Sequence, residues 1–253
     1  MRAIRTLVAL SVVFLVTTAF HGCEDWMWRW DRIKGNGEIV DRWYPVTQPF
    51  TRCSIGIGEA NCRFVVRSDS MGVRIVGDEN LLDRIEVRVT KKGKLRIRAN
   101  QWLEPTGKMQ VTVYMPGPLE EISIGGAVDI VDSVPLAGKR VKVEVAGAAE
   151  GTALVQAERV DVDLAGSGEI ALTGSARKLS VGIAGSGEVD AAALSVDSCC
   201  IDIAGAGDCR VFVTDYLKVA VAGSGDVCYY GNPRKIKQSI LGSGDVQPCP
   251  KEP

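Results

Sequence analysis

Histidine is all but missing. The single one, His21, lies in a segment expected to be removed on export, so the mature chain has no imidazole for a catalytic triad, a metal site or acid–base work. That excludes many enzyme classes and leaves, among catalytic readings, a polysaccharide lyase or hydrolase built on Arg, Lys and Asp. Aromatic residues are also scarce, at 6%, while glycine is frequent, at 28 residues. This balance fits a thin, repetitive β core better than a barrel enclosing a large cavity. A phosphate loop is absent, because each Gly-Ser-Gly here precedes an acid and a strand, with no lysine and no helix N-terminus to receive an anion. The formal net charge of −1 gives nucleic-acid binding no support.

Long apolar runs are lacking as well. The one at the start, Leu7 to Phe20, follows Arg2 and Arg5 and is short for a membrane span, so it reads as a secretory signal. Gly22-Cys23 at its end is similar to a bacterial lipoprotein cleavage site, although Phe20 and His21 stand where such sites usually carry Leu and a small residue. Two readings stay open: lipidation at Cys23, or ordinary cleavage that leaves Cys23 as a thiol. The tryptophans that follow, Trp26, Trp28 and Trp30, either sit at a membrane interface beside the lipid or cap the first coil.

What is present is a repeat. Ala165-Gly166-Ser167-Gly168-Glu169 returns at 184–188, 204–208, 222–226 and, led by Leu241, at 241–245, with a degenerate copy at 146–150. The acids Glu150, Glu169, Glu188, Asp208, Asp226 and Asp245 are 19, 19, 20, 18 and 19 positions apart, the signature of a solenoid. Aligning the copies puts Val141, Val143 and Val145 in columns with Val160, Val162 and Leu164, and so on to Leu217, Val219 and Val221. Polar or small residues alternate with them. A shorter strand follows each acid, with Ile170, Val189, Cys209, Val227 and Val246 pointing inward. The expected fold is therefore all-β: a parallel β-helix of about 19 residues per coil, right-handed by default, with glycine supplying positive φ at the tight corner.

Residues 35–118 keep strand alternation but lose the period. Two strands are expected around Gly58-Glu59-Ala60-Asn61, another at 72–77, and a hairpin about Lys91-Lys92-Gly93, before the joint Pro116-Gly117-Pro118. The expected organisation is a signal at 1–22, a tether at 23–34, an irregular β half at 35–118, a repetitive half at 119–247 and a tail at 248–253.

Gly35-Asn36-Gly37-Glu38, Val73-Arg74-Ile75 with Gly77-Asp78-Glu79-Asn80-Leu81, the Lys-Lys-Gly-Lys-Leu hairpin, Met115-Pro116 and the Gly-Ser-Gly-Asp repeats together resemble the bacterial family called putative auto-transporter adhesin, head GIN domain, over about residues 35–245. The resemblance implies a secreted or envelope-anchored β-helix, similar in shape to pectin lyases, with a role in adhesion and no recognised catalytic residues.

The leading expectation is thus a noncatalytic envelope binding protein for a glycan, a cell-wall polymer or another envelope protein, with no cofactor. A carbohydrate-active enzyme, or a structural or sensor component, are the alternatives. Candidate contacts are Phe212, Tyr216, Tyr229 and Tyr230, because rings stack on sugars and anchor interfaces, or else some of them pack the last coils. Charge is uneven: residues 24–118 carry 16 Lys and Arg against 12 Asp and Glu, and residues 119–253 carry 12 against 19. Of the eight cysteines, Cys199 and Cys209 fall in inward columns. Cys53 with Cys62, across a supposed turn, is the favoured disulfide, and Cys228 with Cys249, in successive coils, is the second. The stacked acids call either for a cation or for local backbone donors. The short acid after each turn favours capping by the turn's own N–H groups and no metal.

Overall fold

The computed structural model describes residues 32–67 and 69–250; the cleavage site at Cys23 and the tryptophans at 26–30 lie outside them. In chain order the elements are β1 (Ile33–Lys34), β2 (Ile39–Pro45), β3 (Arg52–Val66), β4 (Gly72–Asp78), α1 (Glu79–Leu82), β5 (Ile85–Val89), β6 (Lys94–Ala99), β7 (Leu103–Glu104), β8 (Met109–Met115) and β9 (Glu121–Ile130). The repeats follow as β10 (Val134–Gly147), β11 (Glu150–Gly166), β12 (Glu169–Gly185), β13 (Glu188–Gly205) and β14 (Asp208–Gly223). The chain closes with β15 (Val227–Tyr230), β16 (Lys235–Gly242) and β17 (Val246–Pro248).

The fold is a β-solenoid of about 7 turns at roughly 19 residues per coil. Strands β10 to β14 pair in parallel, each with the next, so that Val141, Val160, Leu179, Cys199 and Leu217 form one column and Val143, Val162, Val181, Ile201 and Val219 another. Every side chain in these columns is buried, and each Val, Leu or Ile among them contributes about 1.5–3 kcal/mol by leaving water. Between the long and short arms of successive coils runs a corner whose first glycine has φ of +133° at Gly166, +129° at Gly185, +132° at Gly205 and +141° at Gly223. A Cβ on Gly185 would also stand 2.4 Å from the carbonyl oxygen of Gly166, one coil back. The corner backbone is therefore stacked on backbone, and it keeps the ladder: Ser186 N–H donates to Gly166 O at 3.0 Å and Ala206 N–H to Gly185 O at 2.9 Å.

The irregular half closes the stack. Strand β3 pairs with β9 on one side; on the other it pairs with β6 along Arg52–Gly56 and with β8 along Ala60–Val66, so two separate strands complete one coil. Outside them the pairing turns antiparallel, β5 on β6, β4 on β8 and β2 on β4. The hairpin about Lys91-Lys92-Gly93 is the β5–β6 pair. The two strands expected around Gly58–Asn61 are instead one 15-residue strand with Gly58 at φ +91°.

That continuity overturns the expected Cys53–Cys62 bridge. The two residues sit on successive arms of one strand, not across a hairpin, and both are free, buried thiols. Loss of hydration pushes both up, Cys62 to about 12, so they act as small hydrophobes. Among the described residues the disulfide is Cys228–Cys249, with Cα atoms 5.0 Å apart, joining β15 to the residue that follows β17, one coil on. That coil is poorly covered: Ile236 is 39% exposed and Leu241 is 75% exposed.

Asp78 is fully buried, and it explains why two of the quoted motifs occur together. Its carboxylate accepts from Gly37 N–H at 2.8 Å, Thr106 N–H at 3.0 Å and Thr106 Oγ1 at 2.9 Å. Asn80 Oδ1 accepts from Asn36 N–H at 3.0 Å while Asn80 Nδ2 donates to Lys34 O at 2.8 Å. A Cβ on Gly35 would stand 2.4 Å from the Asp78 carboxyl carbon. Burial pushes the Asp78 carboxyl up, but the donated hydrogen bonds outweigh it and hold it below the usual range.

Two outcomes follow from this packing. Gly185→Ala is expected to cost about 2–4 kcal/mol in urea unfolding, from backbone strain plus collision, and exposed Ser186→Ala no more than about 0.5 kcal/mol. Asp78→Asn is expected to cost about 1.5–3 kcal/mol at pH 7. A carboxyl with a depressed folded pKa stabilises above its unfolded value, near 3.9, and loses that contribution as pH falls through the folded value. The gap between wild type and Asp78→Asn, measured as urea midpoints, should therefore hold at pH 7 and 5 and narrow below about pH 4.

Candidate binding surface

The four aromatic residues singled out from the sequence do not form one surface. Phe212 and Tyr230 are register partners on the outer side of the short arm, half-buried and side by side. Arg210 precedes them on that side, paired with Glu188 and 3.7 Å from Asp190. Tyr229 instead pairs with Val211 in the inward column and packs on the core. Tyr216 lies on the long arm, level with Ser198 and Lys235. The alternation starting at inward Val227 already separates Tyr229 from Tyr230.

The acidic residues do stack. Glu150, Glu169, Glu188 and Asp208 are successive register partners, and the column continues through Asp226 and Asp245 by hydrogen bonds. Asp208 Oδ1 accepts Asp226 N–H at 2.9 Å, Asp226 Oδ1 accepts Asp245 N–H at 2.8 Å, and Asp245 Oδ1 accepts Val246 N–H at 2.8 Å. For Asp208 and Asp226 the donor is thus the next coil and not the turn's own N–H group, which corrects the sequence expectation. In earlier coils the acid's N–H goes to a backbone carbonyl instead, as from Glu169 to Ala149 O at 2.9 Å. The change from Glu to the shorter Asp coincides with the change of acceptor. Among the described residues no three His, Cys, Asp or Glu side chains are arranged to hold a metal ion.

A second aromatic surface lies where the sequence pattern gave no sign of it, on the outer face of β2, β4, β8 and β3. Trp43 on β2 is 45% exposed, its ring laid over Gly72, where a Cβ would stand 2.3 Å from the indole. Tyr114 on β8 tilts against it with ring centroids 5.5 Å apart, and the Arg67 guanidinium lies 5.7 Å from the Tyr114 centroid. Across the strands Trp43 is level with Arg74, Thr112 and Arg63. Arg74 Nε holds both oxygens of Asp41, at 2.9 and 3.0 Å, and the hydrogen bond draws the Asp41 carboxyl below its ordinary range. Arg63 pairs with Asp132 at 2.7 Å and Arg67 with Asp69 at 3.5 Å. Nothing in the sequence pointed to it, because β2 and β4 meet through an antiparallel pairing that no period announces.

A depression of about 520 Å³ is lined by Asp83, Arg84, Ile85, Glu86, Arg98, Asn100 and Gln101. Its carboxylates are engaged, Glu86 with Arg88 and Arg98, and Asp83 with Arg42. No helix among the described residues is long and apolar enough to cross a membrane.

The sequence pattern of the family described as "Putative auto-transporter adhesin, head GIN domain" matches residues 55–233. The chain belongs to this family. Solved structures with a similar fold include a putative adhesin from Bacteroides fragilis, at TM-score 0.77 and 23% identity, over 86% of this chain and 100% of that one. A putative lipid binding protein from Parabacteroides distasonis is similar at TM-score 0.69 and 25% identity, over 87% of this chain and all of that one. A putative adhesin from Parabacteroides merdae follows at TM-score 0.60 and 21% identity, over 87% of this chain and 100% of that one. No curated protein matches the chain.

For this GIN-domain protein the capped acids give a direct test. Millimolar calcium is expected to move the melting temperature by less than about 1 °C. Asp226→Ala, which removes the acceptor for Asp245 N–H, should cost about 1 kcal/mol, and Asp226→Asn, which keeps an oxygen there, much less. A rise of several degrees with calcium, lost on Asp226→Asn with Asp245→Asn, is the contrary result.

Proposed function

We propose that the mature protein is a noncatalytic binding protein of the cell envelope that presents outer solenoid faces to a glycan, a cell-wall polymer or an envelope protein. The observation that carries this reading is the adhesin-head family match over residues 55–233 on a β-solenoid. Its outward charges support it, since carboxylates such as Asp41, Glu86, Glu121 and Asp161 are engaged with neighbouring Arg or Lys. A general acid or base needs a proton partner in the substrate, and a carboxylate held by a guanidinium is poorly placed to take one. The export leader supplies the location and Cys23 the anchor. One acyl chain binds a membrane weakly, so several chains, or one assisted by Trp26, Trp28 and Trp30, hold the domain by its N-terminal side.

The test uses purified mature chain and intact envelopes. Saturable sedimentation with envelopes, no new reducing ends or unsaturated products from acidic polysaccharides, and a mass for the native N-terminus showing acylated Cys23 are the expected results. Turnover of a polysaccharide would overturn the noncatalytic reading, and an unmodified Cys23 the anchor.

A further inference from the structure

The face formed by Trp43, Tyr114, Arg74, Arg67, Thr112 and Arg63 has no assigned role, and its construction is selective. Trp43 is a large apolar ring on an edge strand, yet almost half of it faces water. It is seated against the sheet because position 72 has no side chain: any Cβ there would enter the indole. One face of the ring is thus covered by backbone and the other is turned outward, with Tyr114 fixed beside it. Flat exposed rings of this kind stack on the C–H faces of sugars and give contact area with little conformational freedom to lose.

The charges around the rings narrow the ligand further. Arg74, Arg67 and Arg63 each stand beside an aspartate, Asp41, Asp69 and Asp132 respectively. A face meant for a polyanion would leave guanidiniums free, and an incoming carboxylate or sulfate here would meet three resident carboxylates. Paired in this way, the arginines keep unused N–H donors and the aspartates keep lone pairs, all held in place for hydroxyl groups. From β2 to β3 the face crosses four strands, roughly 14 Å at the usual spacing, which suits a short run of sugar rings better than a single one.

We infer that this outer face binds a neutral, hydroxyl-rich glycan chain, with Trp43 and Tyr114 as the stacking platform and the Arg–Asp pairs as the hydroxyl-reading groups. The inference rests on the binding-protein reading and names its ligand class.

The experiment is calorimetric titration of the mature chain with cello-, manno- and galacto-hexaose, and with a hexamer of galacturonic acid as the charged counterpart, at 0.05 and 0.5 M salt. At least one neutral hexaose is expected to bind, with affinity changed less than twofold by salt. Trp43→Ala should weaken that binding tenfold or more. Arg74→Lys, which keeps the charge but not the two-oxygen grip on Asp41, should weaken it severalfold, while Ser186→Ala at an exposed corner leaves it unchanged. Circular dichroism and melting of each variant establish folding, and Trp43→Phe, retaining a ring, should recover part of the affinity. Preference for the uronic hexamer with steep salt dependence, or neutral binding untouched by Trp43→Ala and Arg74→Lys in folded protein, overturns the inference. So does failure to bind every neutral hexaose while envelope binding persists, which leaves the broader reading standing. Loss of envelope binding as well removes both.

Discussion

The structure depends on one close contact: the corner backbone of each coil lies directly on the corner backbone of the coil before it. At Gly166 a Cβ would stand 2.1 Å from the Gly147 carbonyl oxygen, and at Gly223 it would stand 2.0 Å from that of Gly205. Only glycine fits such a site, both for its conformation and for the space. Because the corners cannot slip, every strand that leaves them is held in one register, and a slip of one residue would turn the valine columns out to water. The hydrophobic columns stabilise the stack; the corners decide which stack it is.

The same rule shapes the surface. In the repetitive half each outward position is repeated by its neighbour, so side chains form ladders, and like charges in a ladder must be relieved. Asp161 takes Arg140 and Arg159 together, and Asp208 and Asp226 take backbone N–H groups from the next coil. In the irregular half β2, β4 and β5 pair antiparallel, the ladder is broken, and unlike residues come side by side. Asp78 makes that departure stable by tying residue 37 and residue 106 to the end of β4. The varied face of Trp43, Arg74 and Tyr114 is a product of the closure, not of the repeat.

Much of this was legible in the sequence and some was not, for physical reasons. The inward columns, the glycine corners and the Lys91–Gly93 hairpin depend on local alternation and period, which a sequence displays. Cys53 and Cys62 misled because a glycine with positive φ bends one strand as readily as it joins two, and only pairing with β6 and β8 distinguishes the cases. Of the rings that could be contacts or could pack the last coils, Tyr229 is the one that alternation from Val227 turns in. The acceptor of each aspartate, one coil away, depends on side-chain length in three dimensions. Trp43 needed β2 and β4 brought together across more than thirty residues, and nothing in either segment announces the partner.

The claim that stacked corners lock the register is tested most directly by amide hydrogen exchange at the corners themselves. Ser167, Ser186, Ala206 and Ser224 are surface residues between two glycines, yet their N–H groups donate to the preceding coil at 3.0, 3.0, 2.9 and 2.9 Å. If the corners lock the stack, these four amides exchange as slowly as the buried-strand amides of Val181 and Ile201, through global opening. Exchange at the rate of an open glycine-rich loop, with the strands still protected, would contradict it and leave the columns alone as what holds the coils together.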